Sequence, residues 1–123
     1  MQENFKEKLI NRAFQLSLKG IKFVDKIQKK GFAAQILAKQ FIRSVTSIGA
    51  NIVEAQGASS TKDFINFMGY AFKSSNETRF WLGLIRDSYD DLKEEAATML
   101  QETQELSKIL GKSLLSLKEK QKK

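Results

Sequence analysis

The sequence predicts an all-α fold, an antiparallel up-down-up-down four-helix bundle, and three observations carry that expectation. The 123 residues include no proline and seven glycines, and because either residue weakens a helix interior, long uninterrupted helices are expected. Apolar residues recur at steps of three and four through four stretches, the spacing that gathers them on one face of a helix. Short polar or glycine-containing segments separate the stretches, and short connections make antiparallel neighbours. A chain of this length, residues 1–123, fits one domain that buries roughly two-thirds of its unfolded surface.

The first helix is expected over about residues 3–29, with Phe5, Leu9, Ala13, Phe14, Leu18, Ile21, Val24 and Ile27 as its apolar face. Gly31 is placed to end it, since glycine tolerates the left-handed conformation that follows a last helical turn. The second is expected over about 33–56, with the seam Leu37, Phe41, Val45, Ile48, Ile52 and Ala55, and Gly57 as its stop. Ser60 stands three residues before Asp63, a spacing at which each side chain can bond the other's exposed amide, so a third helix begins near Thr61 and runs to about 88. Its seam is Phe64, Met68, Ala71, Ser75, Thr78, Leu82, Ile85 and Tyr89. The fourth, about 91–119, carries Leu92, Ala96, Met99, Leu106, Leu110, Leu114 and Leu117, with Ser88 and Asp91 as capping candidates. The lysine-rich run from Lys118 to Lys123 reads as a fraying end.

The third helix is too apolar for its seam alone. Ile65, Phe67, Tyr70, Phe72, Phe80, Trp81 and Leu84 point in nearly every direction at 100° per residue, and a helix apolar all round is buried all round. An exposed patch of that size predicts a homo-oligomer using this helix, with the second helix beside it; a thick core that absorbs the aromatics is the alternative.

A second stripe runs beside the core seam of the second helix. Ser44, Ser47, Asn51 and Glu54 are short hydrogen-bonding groups where an ordinary surface helix carries lysine and glutamine. In an antiparallel hairpin Glu54 falls near the first turns of the third helix and Arg43 nearer Glu77, with Ser75 alongside; Arg43 and Arg79 are candidate partners for Glu77. A polar group buried without a partner costs about 1–3 kcal/mol, so these residues are expected to form a network that sets register or builds an interface. The competing reading is a ligand pocket or carboxylate chemistry by Glu54 and Glu77.

Composition weighs against chemistry. The chain has no cysteine and no histidine, which removes thiolate ligands, cysteine nucleophiles and the commonest general base and transition-metal ligand. No metal, no cofactor and no catalytic residue is expected. The start, Met1 to Lys6, lacks a signal pattern, and no run approaches the length of a bilayer span, so a cytoplasmic protein without membrane contact is expected.

Charge is uneven. The formal net charge is +7, with a balance of +5 over residues 1–30, −4 over 91–105 and +5 over 106–123. In an up-down bundle Lys6, Lys8 and Arg12 share an end with Lys62, Lys108, Lys112, Lys118 and Lys120, while the opposite end mixes acids and bases and largely neutralises itself. Acids early and lysines late in the fourth helix suit the helix dipole, but that does not account for a basic first helix. A lysine-rich pole is a candidate site for nucleic-acid phosphates, read without base specificity.

The run from Arg43 to Glu54, Arg-Ser-Val-Thr-Ser-Ile-Gly-Ala-Asn-Ile-Val-Glu, followed by Lys62-Asp-Phe-Ile-Asn-Phe67, Ala71 and Ser75-Asn-Glu77, resembles the bacterial four-helix proteins called 23S ribosomal RNA intervening-sequence proteins. A more distant likeness is to the accessory variability determinants of diversity-generating retroelements. The resemblance covers the first three helices well and the fourth by length and pattern. It departs at Ala55, where glycine is common in the family, and at Lys29-Lys30-Gly31, where proline is common. It implies a four-helix protomer, a homopentameric ring, no established catalytic activity, and an association with ribosomal RNA or retroelement nucleic acid. Arg43, Ser47, Asn51, Glu54 and Glu77 are the motif positions, expected to be structural or interfacial. Two functions follow as expectations: a non-enzymatic oligomer that binds RNA or DNA through its basic pole, or a scaffold for a protein partner.

Overall fold

A computed structural model of the chain describes residues 4–122; the expected start at residue 3 and the last lysine of the tail, Lys123, lie outside the described residues. These form four long helices and no strand: α1 (Phe5–Gln28), α2 (Phe32–Gln56), α3 (Thr61–Ser88) and α4 (Lys93–Lys122), with a single 3-10 turn at Asp90–Leu92 before α4.

Each boundary has a local cause. The Glu7 amide donates to Asn4 Oδ1 at 2.8 Å and the Glu7 side chain accepts from the Asn4 amide, so two orphan donors at the start of α1 satisfy each other. Gly31 lies beyond the Lys29 cap of α1 and takes φ +130°, a conformation open to glycine alone, which turns the chain directly into α2. Gly57 also stands where a stop was expected, but at φ −98° in an ordinary turn, its amide bonding Glu54 O at 3.1 Å. The Asp63 amide donates to Ser60 Oγ at 3.0 Å, and the Asp63 carboxylate reaches back one residue further than expected, to the Ser59 amide at 3.2 Å. Ser88 and Asp91 do not cap α4. Ser88 is the last residue of α3, the extended Tyr89 breaks the helix, and Asp91 lies in the 3-10 turn paired with Lys30.

Ser17 meets Val45 and Phe23 packs edge-on against Phe41 across α1 and α2; Ser47 meets Ser74 and Ser44 meets Thr78 across α2 and α3; Phe72 meets Gly111 and Asn76 meets Ser107 across α3 and α4. The α2 and α3 seams are buried as expected, with only Leu37, Phe64 and Tyr89 partly open. The α4 stripe is buried too, with only Leu117 partly open, and Leu100, Thr103 and Ser107 join it.

The face of α1 is corrected. Phe5, Phe14, Leu18 and Ile21 are exposed, and the core side is Leu9, Ala13, Leu16, Gly20, Phe23 and Ile27. The helix carries two adjacent apolar stripes, and the inward one contains the small residues that admit α2: a Cβ on Gly20 would stand 2.9 Å from Val45 Cγ1 and 3.3 Å from the Phe41 ring. Helix α3 is corrected in part. Ile65 is buried and Phe67, Phe72 and Trp81 pack partly on the core, so only Tyr70, Phe80 and Leu84 of the surplus remain exposed.

Candidate functional site

The polar stripe of α2 meets α3 in a chain of short hydrogen bonds. Thr78 Oγ1 donates to Ser44 Oγ at 2.9 Å, and Ser44 Oγ in turn donates to Phe41 O at 3.1 Å. One turn along, Ser74 Oγ donates to Ser47 Oγ at 3.0 Å while the Asn51 amide donates to Ser47 Oγ and to Ser47 O at 3.0 and 2.9 Å. Ser44 and Thr78 are fully buried, and no buried side-chain polar atom among the described residues lacks a partner. At the outer edge of the layer Glu77 Oε2 accepts from Arg43 and from Trp81 Nε1, the latter at 3.0 Å.

These contacts divide the expected residues. Arg43, Ser44, Ser47, Asn51 and Glu77 come together along the α2–α3 seam. Ser75 is buried but turns to its own helix, donating to Phe72 O at 2.7 Å. Arg79 does not reach Glu77; it donates to Asn76 Oδ1 at 3.4 Å, because its position on α3 faces α4, where Ser107 donates to the same oxygen at 2.8 Å. Glu54 stands apart, exposed on the α1–α2 side with no hydrogen bond or ion pair to a described residue. Glu54 and Glu77 therefore do not converge: Glu77 is held at Arg43, roughly 16 Å along α2 from Glu54 at 1.5 Å per residue. Among the described residues no group of acidic side chains is arranged to hold a metal ion. Ser74, Thr78, Asn76 and Ser107 supply bonds that the α2 stripe alone did not reveal; the Ser74 and Thr78 spacing, one turn apart facing that stripe, is the signal that carried them.

Charge is paired along one edge of the molecule. Lys19 reaches Glu102 at 2.6 Å, Lys26 reaches Glu95 at 2.8 Å, Lys30 pairs with Asp91, and Arg12 is 3.5 Å from Glu105, so α1 lines the acidic side of α4 with cations. The Lys30 ammonium bonded to Asp91 holds that carboxyl below its ordinary value, and Arg86 bonded to Asp87 does the same there. Lys6, Lys8, Lys62, Lys108, Lys112, Lys118 and Lys120 are all exposed and form no ion pair with a described residue. Arg12 is exposed but shares its charge with Glu105.

Fold and site together define a four-helix protein with a satisfied polar seam and an uncompensated set of lysines. Residues 6–112 match the family model described as 23S rRNA-intervening sequence protein. The chain belongs to that family. Its structure is similar to the crystal structure of a protein of unknown function from the S23 ribosomal protein family of Bacteroides thetaiotaomicron, with 30% identity and a TM-score of 0.80, covering 89% of this chain and 96% of that one. Among curated proteins none matches the sequence. No helix among the described residues is long and apolar enough to cross a membrane.

Proposed function

We infer that this protein is a non-enzymatic, homo-oligomeric, up-down-up-down four-helix bundle of the cytoplasm that binds nucleic-acid backbone, ribosomal RNA foremost, through its lysine-rich end. The unequal pairing of charge carries this reading. Lys19, Lys26 and Lys30 are engaged by acids of α4 and its preceding turn, whereas Lys6, Lys8, Lys62, Lys108, Lys112, Lys118 and Lys120 meet no carboxylate among the described residues. The α3–α4 contacts bring Lys62 to the level of the α4 terminus, and Arg12 beside Glu105 brings Lys8 and Lys6 toward Lys108 and Lys112. Ammonium groups on flexible stems hold phosphates as point charges and read no base edges. A ring of protomers would repeat this surface, which strengthens binding by engaging several phosphates at once.

The test is affinity for an RNA duplex as salt rises. Replacing Lys6, Lys8, Lys108 and Lys112 by glutamine is expected to weaken binding at low salt and to flatten the log–log salt slope by about 0.9 for each phosphate that is no longer neutralised. Arg12→Gln should matter less than any one of them, because Glu105 already occupies its charge. Binding left unchanged by the fourfold variant would overturn the reading. A protein-partner scaffold is the second reading, favoured by the exposed Phe14, Leu18, Ile21 and Phe80; recovery of a protein partner with no nucleic acid would select it.

A further inference from the structure

Among the exposed apolar residues of the described chain, two surfaces differ in shape. The first is concave. Ala13 and Gly49 let α1 and α2 approach so closely that a Cβ on Gly49 would stand 3.3 Å from that of Ala13, and no long side chain fills the outer gap between the helices. What remains is a groove of about 430 Å³ walled by Ile10, Phe14, Thr46 and Val53, with Glu54 at its rim. Phe14 is 58% exposed and Val53 54%, and Leu18 and Ile21 extend the apolar wall along α1. The second surface is a ridge on α3. Tyr70 and Phe80 are 51% and 60% exposed, and each is propped edge-on by an aromatic that packs on the core, Tyr70 by Phe67 and Phe80 by Trp81. Lys73, between them, is exposed and forms no ion pair with a described residue.

We propose that these surfaces are the two halves of one contact: the α3 ridge of one copy seats on the α1–α2 face of a second copy, Tyr70 in the groove and Lys73 toward Glu54. The inference rests on the reading that the protein self-associates, and it assigns the surfaces that do so. A rigid aromatic ridge and an apolar groove are complementary in shape, and buried aromatic anchors dominate the energy of such contacts. Their charges are complementary as well: the groove's rim carries an unpaired carboxylate and the ridge an unpaired ammonium, one helical turn from Tyr70.

The heights agree too. Tyr70 lies one turn before Ser74 and so stands level with Asn51, one turn past Ser47; Asn51 in turn is level with the stretch of α1 just before Ala13, where Ile10 walls the groove. Phe80 follows Thr78, which bonds Ser44, and the neighbouring Val45 meets Ser17, so Phe80 stands level with Leu18 and Ile21. Copies related by rotation about an axis parallel to the helices keep these levels, and the ridge meets the groove with no slide along the bundle. Glu77 shares the face of α3 that carries Lys73 and Phe80 and it reaches Arg43 of α2, so the ridge flanks α2 on one side while the groove flanks it on the other. Unlike surfaces on adjoining sides of a protomer turn each successive copy, the geometry of a closed ring.

Val53→Asp damages the groove and Tyr70→Asp the ridge, both at exposed positions. By light scattering at micromolar concentration the wild type is expected to be assembled and each variant to be a single chain, with helical circular dichroism retained. Mixing the two variants should give a complex of two chains and no larger, because the intact groove of Tyr70→Asp accepts the intact ridge of Val53→Asp and the remaining surfaces are both spoiled. A mixture that stays monomeric overturns the pairing of unlike surfaces. Wild type assembled with both variants equally assembled overturns the surface assignment alone, and a monomeric wild type overturns self-association with it.

Discussion

Helices α1 and α3 are both attached to α2 and α4, by different means. Helix α3 is joined to α2 through hydroxyls, the buried pair Thr78 to Ser44 and the half-buried pair Ser74 to Ser47, and to α4 through Asn76 and Ser107. Helix α1 meets α2 chiefly by steric fit, with Ala13 against Gly49 and Gly20 against Val45 and Phe41 beside one hydrogen bond from Ser17 to Val45 O, and meets α4 through the exposed ion pairs of Arg12, Lys19 and Lys26, with Lys30 just beyond it paired to Asp91 in the turn before α4. Directional bonds across the seam favour one register, since a slipped α3 would lose its bonds to Ser44 and Ser47 and leave those hydroxyls only their contacts within each helix. Close packing specifies distance, and exposed charges specify little that salt cannot screen. The two attachments should therefore fail under different perturbations.

The largest contrast comes from one substitution made in two helices. Gly20→Ala places a methyl 2.9 Å from Val45 Cγ1, on a stiff β-branched side chain in the core, so α1 must move away from α2. Overpacking of this kind costs about 1–3 kcal/mol, against a helix-propensity gain of up to about 1 kcal/mol. Gly69→Ala, in α3, meets nothing within 4 Å and keeps only the propensity gain. Urea midpoints compared at one protein concentration should fall for the first variant and rise for the second; a rise for both would mean that α1 is not held by close approach.

Legibility in the sequence follows the same division. The four helices and the seams of α2, α3 and α4 were readable from period alone, while for Glu77 the sequence offered both Arg43 and Arg79 as partners and the α2–α3 packing takes Arg43. The inward face of α1 was not. Phe14, Leu18 and Ile21 have the right spacing and the right chemistry, and the choice against them is made by how near a second backbone comes to Gly20, which no spacing within α1 encodes. Glu54 likewise matched the polar stripe by period, yet one further turn carries it toward the α1 side and away from Ser47 and Thr78. The lysines were countable in the sequence, but which of them acids neutralise depended on the α1–α4 register.

The α2–α3 seam can be tested by removing its innermost bond from either side. Thr78→Val preserves shape and leaves Ser44 Oγ with its bond to Phe41 O; Ser44→Ala removes the acceptor and leaves Thr78 Oγ1 with Ser74 O at 2.7 Å. Each single change is expected to cost about 0.5–1.5 kcal/mol, the net worth of one hydrogen bond. The double variant should cost less than the sum of the two, since the bond they share can be removed only once. Additive losses in urea unfolding would show that the hydroxyl pair contributes nothing beyond its separate bonds to the backbone.

The smallest effect is expected where α1 meets the turn before α4. Bonding by Lys30 lowers the Asp91 carboxyl below its ordinary 3.8, so the folded chain releases that proton more readily than the unfolded one. The stabilisation this brings is complete above 3.8 and disappears as pH falls through the depressed folded value. With no histidine in the chain, the urea midpoint should stay nearly level from about pH 5 to pH 8 and decline only in acid. Asp91→Asn should reduce that acid decline slightly, and should also reduce the loss of stability on adding salt, because both effects act through the same solvent-exposed pair. An acid decline of undiminished size in Asp91→Asn would show that the Lys30–Asp91 pair does not carry it.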